Sequence, residues 1–236
     1  MTTICLDPKI PLGRIKPTDV KAAVDAFNSR YGEMEQVLWR LSRAAVDALL
    51  AGRESQAIEK LVWTVRSWWG VQGVRKETKV KAAATLLEFD WTESMFEASL
   101  DLEFDSKNFA VRRVAEFVEG MRRRGVPRRE WSLASKVLHW LMPWRVPAYD
   151  GFVRGTLGVP SGIDNGLAYS FVVTLEYGLA HEILQQGEEW FGDIEPRSPF
   201  RALDKYLWWH GGGSADRAVV VKNPWRVLDS LKSDSG

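Results

Sequence analysis

One cysteine, Cys5, is all the thiol in this chain, so an internal disulfide framework is excluded. A chain without disulfides suits a reducing compartment, and a cytoplasmic location is the expectation. There are only three histidines, His139, His181 and His210, and they are scattered; with a single cysteine they form no zinc-binding spacing. Neither a metal nor another cofactor is expected. No apolar run reaches the roughly 18 residues of a membrane span, so no membrane partner is expected. Met1 to Asp7 lacks a basic region leading into an apolar core, which argues against a signal peptide. Net charge is also slight: 32 basic and 31 acidic side chains leave +1. Bulk charge therefore gives no case for a nucleic-acid partner, which would need a local basic face. The chain has no internal repeat and no low-complexity linker.

What is present is helical patterning. The 236 residues, 45% hydrophobic and 27% charged, have the balance of a soluble globular protein able to bury a full core. Twelve tryptophans supply large apolar surfaces for packing between elements. After an extended, proline-punctuated start, Pro17-Thr18-Asp19-Val20 opens a helix to about Tyr31. A second helix carries Met34, Val37, Leu38, Leu41, Ala45 and Leu49 at three- and four-residue spacing and stops at Gly52. A third holds Ile58, Leu61, Val62, Val65 and Trp69, closed by Gly70. An alanine-rich helix to Phe89, one over about 92–103, and one capped by Asp105-Ser106 follow. Further helices are read at about 167–186 and 200–209, the latter stopping at Gly211-Gly212-Gly213. Ala218 to Val221 reads as a short strand or a buried turn. The fold class is all-α, a single domain over residues 1–236, arranged as two interleaved helical lobes meeting near 125–150.

Two basic clusters stand out. Gly73 to Lys81 contains Lys76 and Lys79. The second is denser: seven arginines lie between positions 112 and 129, among them Arg122, Arg123, Arg124, Arg128 and Arg129. Such a run serves as a solvated face or as a phosphate-binding surface.

The stretch from Ser132 to Arg154 is where chemistry is expected. On a helical wheel Leu133, Val137, Leu138, Trp140 and Leu141 share one arc, Lys136 falls at its edge, His139 lies on the outer side, and Ser132 is the natural N-cap. Lys136 has two readings. Its stem covers apolar surface while the ammonium reaches water, or the amine is partly desolvated beside Trp140 and becomes a usable nucleophile. Asp150, before Gly151-Phe152-Val153-Arg154, reads as a helix N-cap. A carboxylate held ionised there by helix amides is also a ready partner for a cation developing in front of it.

The order Ser-Lys, apolar helix, proline, Val146-Pro147, Asp150, Val153-Arg154, then Leu157-Gly158 resembles the signature segment of the helix-hairpin-helix DNA glycosylases over about 25 residues. The chain departs from that pattern in three ways. Arg129 to Leu133 replace the glycine-x-glycine hairpin, the helix between Lys136 and Pro143 is shorter, and Tyr149 is an extra residue before the aspartate. The resemblance implies a two-lobed helical bundle with a cleft between the lobes and duplex DNA with a damaged or modified base as partner. It also implies Lys136 as Schiff-base nucleophile and Asp150 as the stabiliser of an oxocarbenium-like sugar. Trp140, Trp144, Tyr149 and His139 become candidate walls of a base pocket. Arg122, Arg123, Arg124, Arg128, Arg129, Lys76 and Lys79 become candidate phosphate contacts, the basic run standing in for the missing hairpin. Base excision of this kind serves repair or defence against phage. The alternative is a non-catalytic helical protein that binds DNA or another partner on the same scaffold.

Overall fold

A computed structural model describes residues 6–10, 15–68, 75–97, 104–186, 195–213 and 223–229. Among these residues every regular element is a helix: α1 Pro17–Leu50, α2 Gln56–Trp68, α3 Lys76–Leu86, α4 Phe104–Arg123, α5 Trp131–Leu141, α6 Gly151–Thr156, α7 Asn165–Leu184, α8 Pro199–Trp208 and α9 Arg226–Asp229. A single 3-10 turn, Glu93–Met95, precedes α4, and a wide turn, Trp209–Gly213, follows α8. No described helix is long and apolar enough to cross a membrane.

The two N-terminal helices expected from the sequence are one. α1 runs unbroken through Gly32 for 34 residues. A mid-helix glycine costs roughly 1 kcal/mol. Burial on both sides of it, Val24, Phe27 and Tyr31 before and Met34, Val37, Leu38 and Leu41 after, outweighs that penalty. The helix expected at about 92–103 is, where described, only the 3-10 turn. Asp105 and Ser106 fall inside the first turn of α4 rather than ahead of it. Trp69 and Gly70, Gly73 and Val74 at the start of the first basic cluster, and Ala218 to Val221 lie outside the described residues.

The centre of the fold is α5. It packs against α1, α2, α4 and α7, and every residue from Leu133 to Leu141 is buried. A helix covered on all sides needs apolar residues all round, and α5 carries only Ser135, Lys136 and His139 as polar exceptions within that span. This corrects two expectations. His139 is buried, because α5 has no solvent side at that level. The helix begins at Trp131 with Glu130 in the N-cap position and no side-chain cap, so Ser132 lies within the first turn.

Candidate functional site

The chain leaves α5 at Met142 and returns past its side before α6 begins, and hydrogen bonds from two helices fix this loop. From α5, Ser135 Oγ accepts from the Tyr149 amide at 3.1 Å. His139 Nδ1 donates to the Val146 carbonyl at 2.7 Å. Burial pushes the His139 imidazole down to about 3, so the ring is neutral and its Nδ1 carries the proton that the carbonyl requires. From α7, the Tyr169 hydroxyl donates to the Pro147 carbonyl at 3.2 Å and the Tyr177 hydroxyl to that of Arg145 at 2.7 Å. Beyond Asp150, Arg154 donates to Asn165 Oδ1 at 3.1 Å and to the Tyr149 hydroxyl at 3.2 Å.

The pinned loop delivers Asp150 to the side of Lys136. Asp150 is extended, with φ −152° and ψ −175°, which swings its carboxyl over the start of α6. Oδ1 accepts from the amides of Phe152 and Val153 at 2.8 and 2.9 Å. Oδ2 lies 2.9 Å from Lys136 Nζ, with the two side chains 10% and 16% exposed for Lys136 and Asp150. Both readings of Asp150 thus hold together, as cap and as partner of a cation. Burial raises the Asp150 carboxyl, but Lys136 and the amide of Val153 outweigh it and hold the group below its ordinary value.

Between α1 and α8 lies a buried charged seam that the sequence reading did not anticipate. Arg201 on α8 donates through Nε to Glu35 of α1 at 2.8 Å, through Nη2 to the other oxygen of Glu35, and through Nη1 to Asp204. Lys205 Nζ stands 3.2 Å from Glu35 and donates to Asn28 at 2.7 Å. Burial disfavours the charge on Glu35, yet Arg201 and Lys205 lower it on balance. Glu176 of α7 is also fully buried, and neither carboxyl oxygen has a hydrogen-bond partner. Burial, then the charges of Asp204 and Asp150, raise it well above its ordinary value, which favours its protonated form. A signal for it was present: Tyr169, Val172, Val173, Tyr177 and Ala180 form the inner stripe of α7, and Glu176 is the one carboxyl among them. Among the described residues no group of histidine, cysteine and carboxylate side chains is placed to hold a metal ion.

The candidate pocket walls divide. Trp140 and His139 are core residues: the Arg201 guanidinium covers the Trp140 ring at 5.2 Å, and the Trp140 carbonyl accepts from Ser42 of α1. Tyr149 is buried with its hydroxyl in the Arg154–Asn165 group, and Trp144 is half-buried. Arg122, Arg123, Arg124, Arg128 and Arg129 are exposed at the end of α4 and in the turn after it, and Lys76 is exposed at the start of α3. Lys79 is not part of that surface. It is buried, with Nζ 2.9 Å from the centre of the Trp63 ring, and this cation–π contact accounts for its place.

No family model, curated protein or solved structure matches the chain.

Proposed function

We propose that this chain is a DNA glycosylase that excises a damaged or modified base, its helices forming two lobes with the Lys136–Asp150 site in the cleft between them. The observation supporting this reading is the 2.9 Å ion pair between Lys136 and Asp150, because it joins the two residues that the signature resemblance singles out. The target nucleotide swings out of the duplex at an expense of a few kcal/mol. Asp150, kept ionised by Lys136 and the α6 amides, faces the positive charge that develops on the sugar as the glycosidic bond breaks. Lys136 Nζ attacks C1′, and the resulting Schiff base permits strand cleavage by elimination. Arg122, Arg123, Arg124, Arg128, Arg129 and Lys76 contact phosphates. With so little of the pair in contact with solvent, the incoming sugar has to part Lys136 from Asp150 to reach them.

The test is incubation with duplexes carrying a panel of damaged and modified bases, followed by borohydride. Wild-type protein forms a covalent adduct, Lys136→Gln does not, and Asp150→Asn releases no base. Base release at the wild-type rate by both variants would sink the mechanism. The burial of Trp140 and His139 favours a second reading, a helical protein that binds DNA without chemistry. It predicts salt-dependent binding and no base or strand product from any duplex in the panel.

A further inference from the structure

With Trp140, His139 and Tyr149 buried and Trp144 half-buried, an aromatic surface open to a ligand beside Lys136 and Asp150 has to come from another residue. Of the phenylalanine, tyrosine and tryptophan side chains described, two are exposed, Trp63 and Phe152. Trp63 belongs to α2 and has Lys79 over its ring. Phe152 belongs to the site. Its amide donates to Asp150 Oδ1 at 2.8 Å, and the other oxygen of that carboxyl is 2.9 Å from Lys136 Nζ. A phenylalanine ring is centred at most about 5 Å from its own amide nitrogen, so this one lies within about 8 Å of the carboxylate in any rotamer. The approach is open. Gly151 and Gly155, one turn apart on the same side of α6, have no atom within 4 Å of an added Cβ, and Phe152 itself is 40% exposed. Its other side is fixed: the ring meets Trp208 of α8 at 6.4 Å and 63°, and Trp208 rests edge-on against Phe27 and Tyr31 of α1. Gly211 closes on the stem, where an added Cβ would stand 3.3 Å from the Cβ of Phe152.

We propose that Phe152 is the base-binding face of this site, the ring on which the flipped base stacks while its sugar faces Asp150. The proposal rests on the glycosylase reading and deepens it by naming what holds the base. A base and a phenylalanine ring each present a flat π face, and stacking between them tolerates any base. The distances suit the pairing. The base hangs directly from C1′, the atom that Lys136 and Asp150 address, so it comes to rest beside the carboxylate, and Phe152 is the exposed ring within reach of that place. Gly151 and Gly155 put no side chain in the way of a flat ligand laid along α6. A ring already packed on Trp208 and Gly211 also has little freedom left to lose when a base arrives.

Two duplexes isolate the contact with the base. One carries the base that wild-type protein releases fastest from the panel, on a 2′-fluoro sugar that keeps the glycosidic bond intact. The other carries a baseless tetrahydrofuran at the same position. Affinities for both are measured by fluorescence anisotropy at one salt concentration for wild type, Phe152→Leu and Phe152→Tyr, and the quantity read is the ratio of the first affinity to the second in each protein. Contacts to phosphates enter both affinities and cancel. The expected result is a ratio lowered about tenfold or more in Phe152→Leu and close to wild type in Phe152→Tyr, which keeps the ring. An unchanged ratio in Phe152→Leu overturns the proposal, as does a fall that Phe152→Tyr shares in full, since the ring itself would then not be what binds. If Phe152→Leu does not fold, Phe152→Met, unbranched and without a ring, replaces it in the same comparison. A wild type that releases no base from any duplex of the panel fails the glycosylase reading, and the Phe152 assignment with it. A wild type that releases base while Phe152→Leu keeps its ratio fails the Phe152 assignment alone.

Discussion

Lys136 Nζ and Asp150 Oδ2 stand 2.9 Å apart, and the other oxygen of the same carboxyl caps α6. Ion pairing and capping can be separated by substitution. Asp150→Asn retains an oxygen able to cap and loses the negative charge, whereas Asp150→Ala loses both. A mostly buried ammonium left without its partner costs about 3–5 kcal/mol, and a lost N-cap adds about 1 kcal/mol. Urea unfolding should therefore rank wild type above Asp150→Asn and Asp150→Asn above Asp150→Ala. Equal stability of the two variants would mean that the cap contributes nothing.

The buried acid in α7 gives a prediction in pH. Glu176 binds its proton more tightly in the folded chain than in the unfolded one, since its folded value lies well above the ordinary 4.5. The sign follows: from about pH 4.5 upward the unfolded state gives up this proton and the folded state keeps it, so stability falls as pH rises. The fall reaches about 1.4 kcal/mol per pH unit and ends only at the folded value. Glu176→Gln removes that dependence. Denaturation of both proteins from pH 4 to pH 8 should show the variant gaining on wild type from about pH 4.5 upward until the folded value is reached; parallel curves would mean that Glu176 ionises as an ordinary carboxyl.

Glu35 carries the opposite sign. Its folded value is lowered by Arg201 and Lys205 despite burial, so its stabilisation is present above the unfolded value of about 4.3 and is lost as pH falls through the folded one. Glu35→Gln leaves Arg201 and Lys205 without their shared partner, at about 3–5 kcal/mol. Arg201 keeps Asp204, so the loss should fall mainly on Lys205 and on the contact between α1 and α8. The measurement is urea unfolding at pH 7 and pH 3: a wide gap between wild type and variant at the first that narrows at the second. A gap of the same width at both would rule out ionisation of Glu35 as its source.

The basic surface is tested by salt. Arg122 is tied to the carbonyls of Val126 and Pro127, Arg124 pairs with Glu88, and Arg129 lies 3.2 Å from Glu119. Arg123 and Arg128 are exposed, and each phosphate contact contributes about 0.9 to the slope of log affinity against log salt. Arg123→Ala and Arg128→Ala should each flatten that slope by nearly this amount on duplex DNA. Unchanged slopes would leave the run as a solvated face.

The helices and the Lys136–Asp150 pairing were legible because both are local. Apolar spacing marks a helix within a few turns, and a proline-bounded loop between two short helices limits how far Lys136 and Asp150 can separate. Glu35, Glu176, Arg201, Asp204 and Lys205 were not legible. Glu35 and Arg201 lie 166 positions apart, and a charged residue on an amphipathic helix is ordinarily solvent-facing. Only the packing of α8 against α1 and α7 shows that these charges point inward. His139 was misplaced for the same reason, since a wheel shows which residues share a side and not how many sides are covered.

The join between the N-terminal segment and α6 supplies a last prediction. Gly158 takes φ +70°, and a Cβ there would collide with the backbone of Asp7 and Pro8. The segment is held at that point by its own amides, Asp7 to the Gly158 carbonyl at 3.2 Å and Lys9 to the Thr156 carbonyl at 2.9 Å. Gly52 has nearly the same conformation, φ +61°, with no atom within 4 Å of an added Cβ. Gly52→Ala therefore isolates the strain of a left-handed backbone, roughly 1–2 kcal/mol, whereas Gly158→Ala adds displacement of residues 6–10. Gly158→Ala should unfold at lower urea than Gly52→Ala, and protease should cut its N-terminal segment faster while cutting that of Gly52→Ala at the wild-type rate. Equal cutting in the two variants would mean that the segment does not depend on the close approach at Gly158.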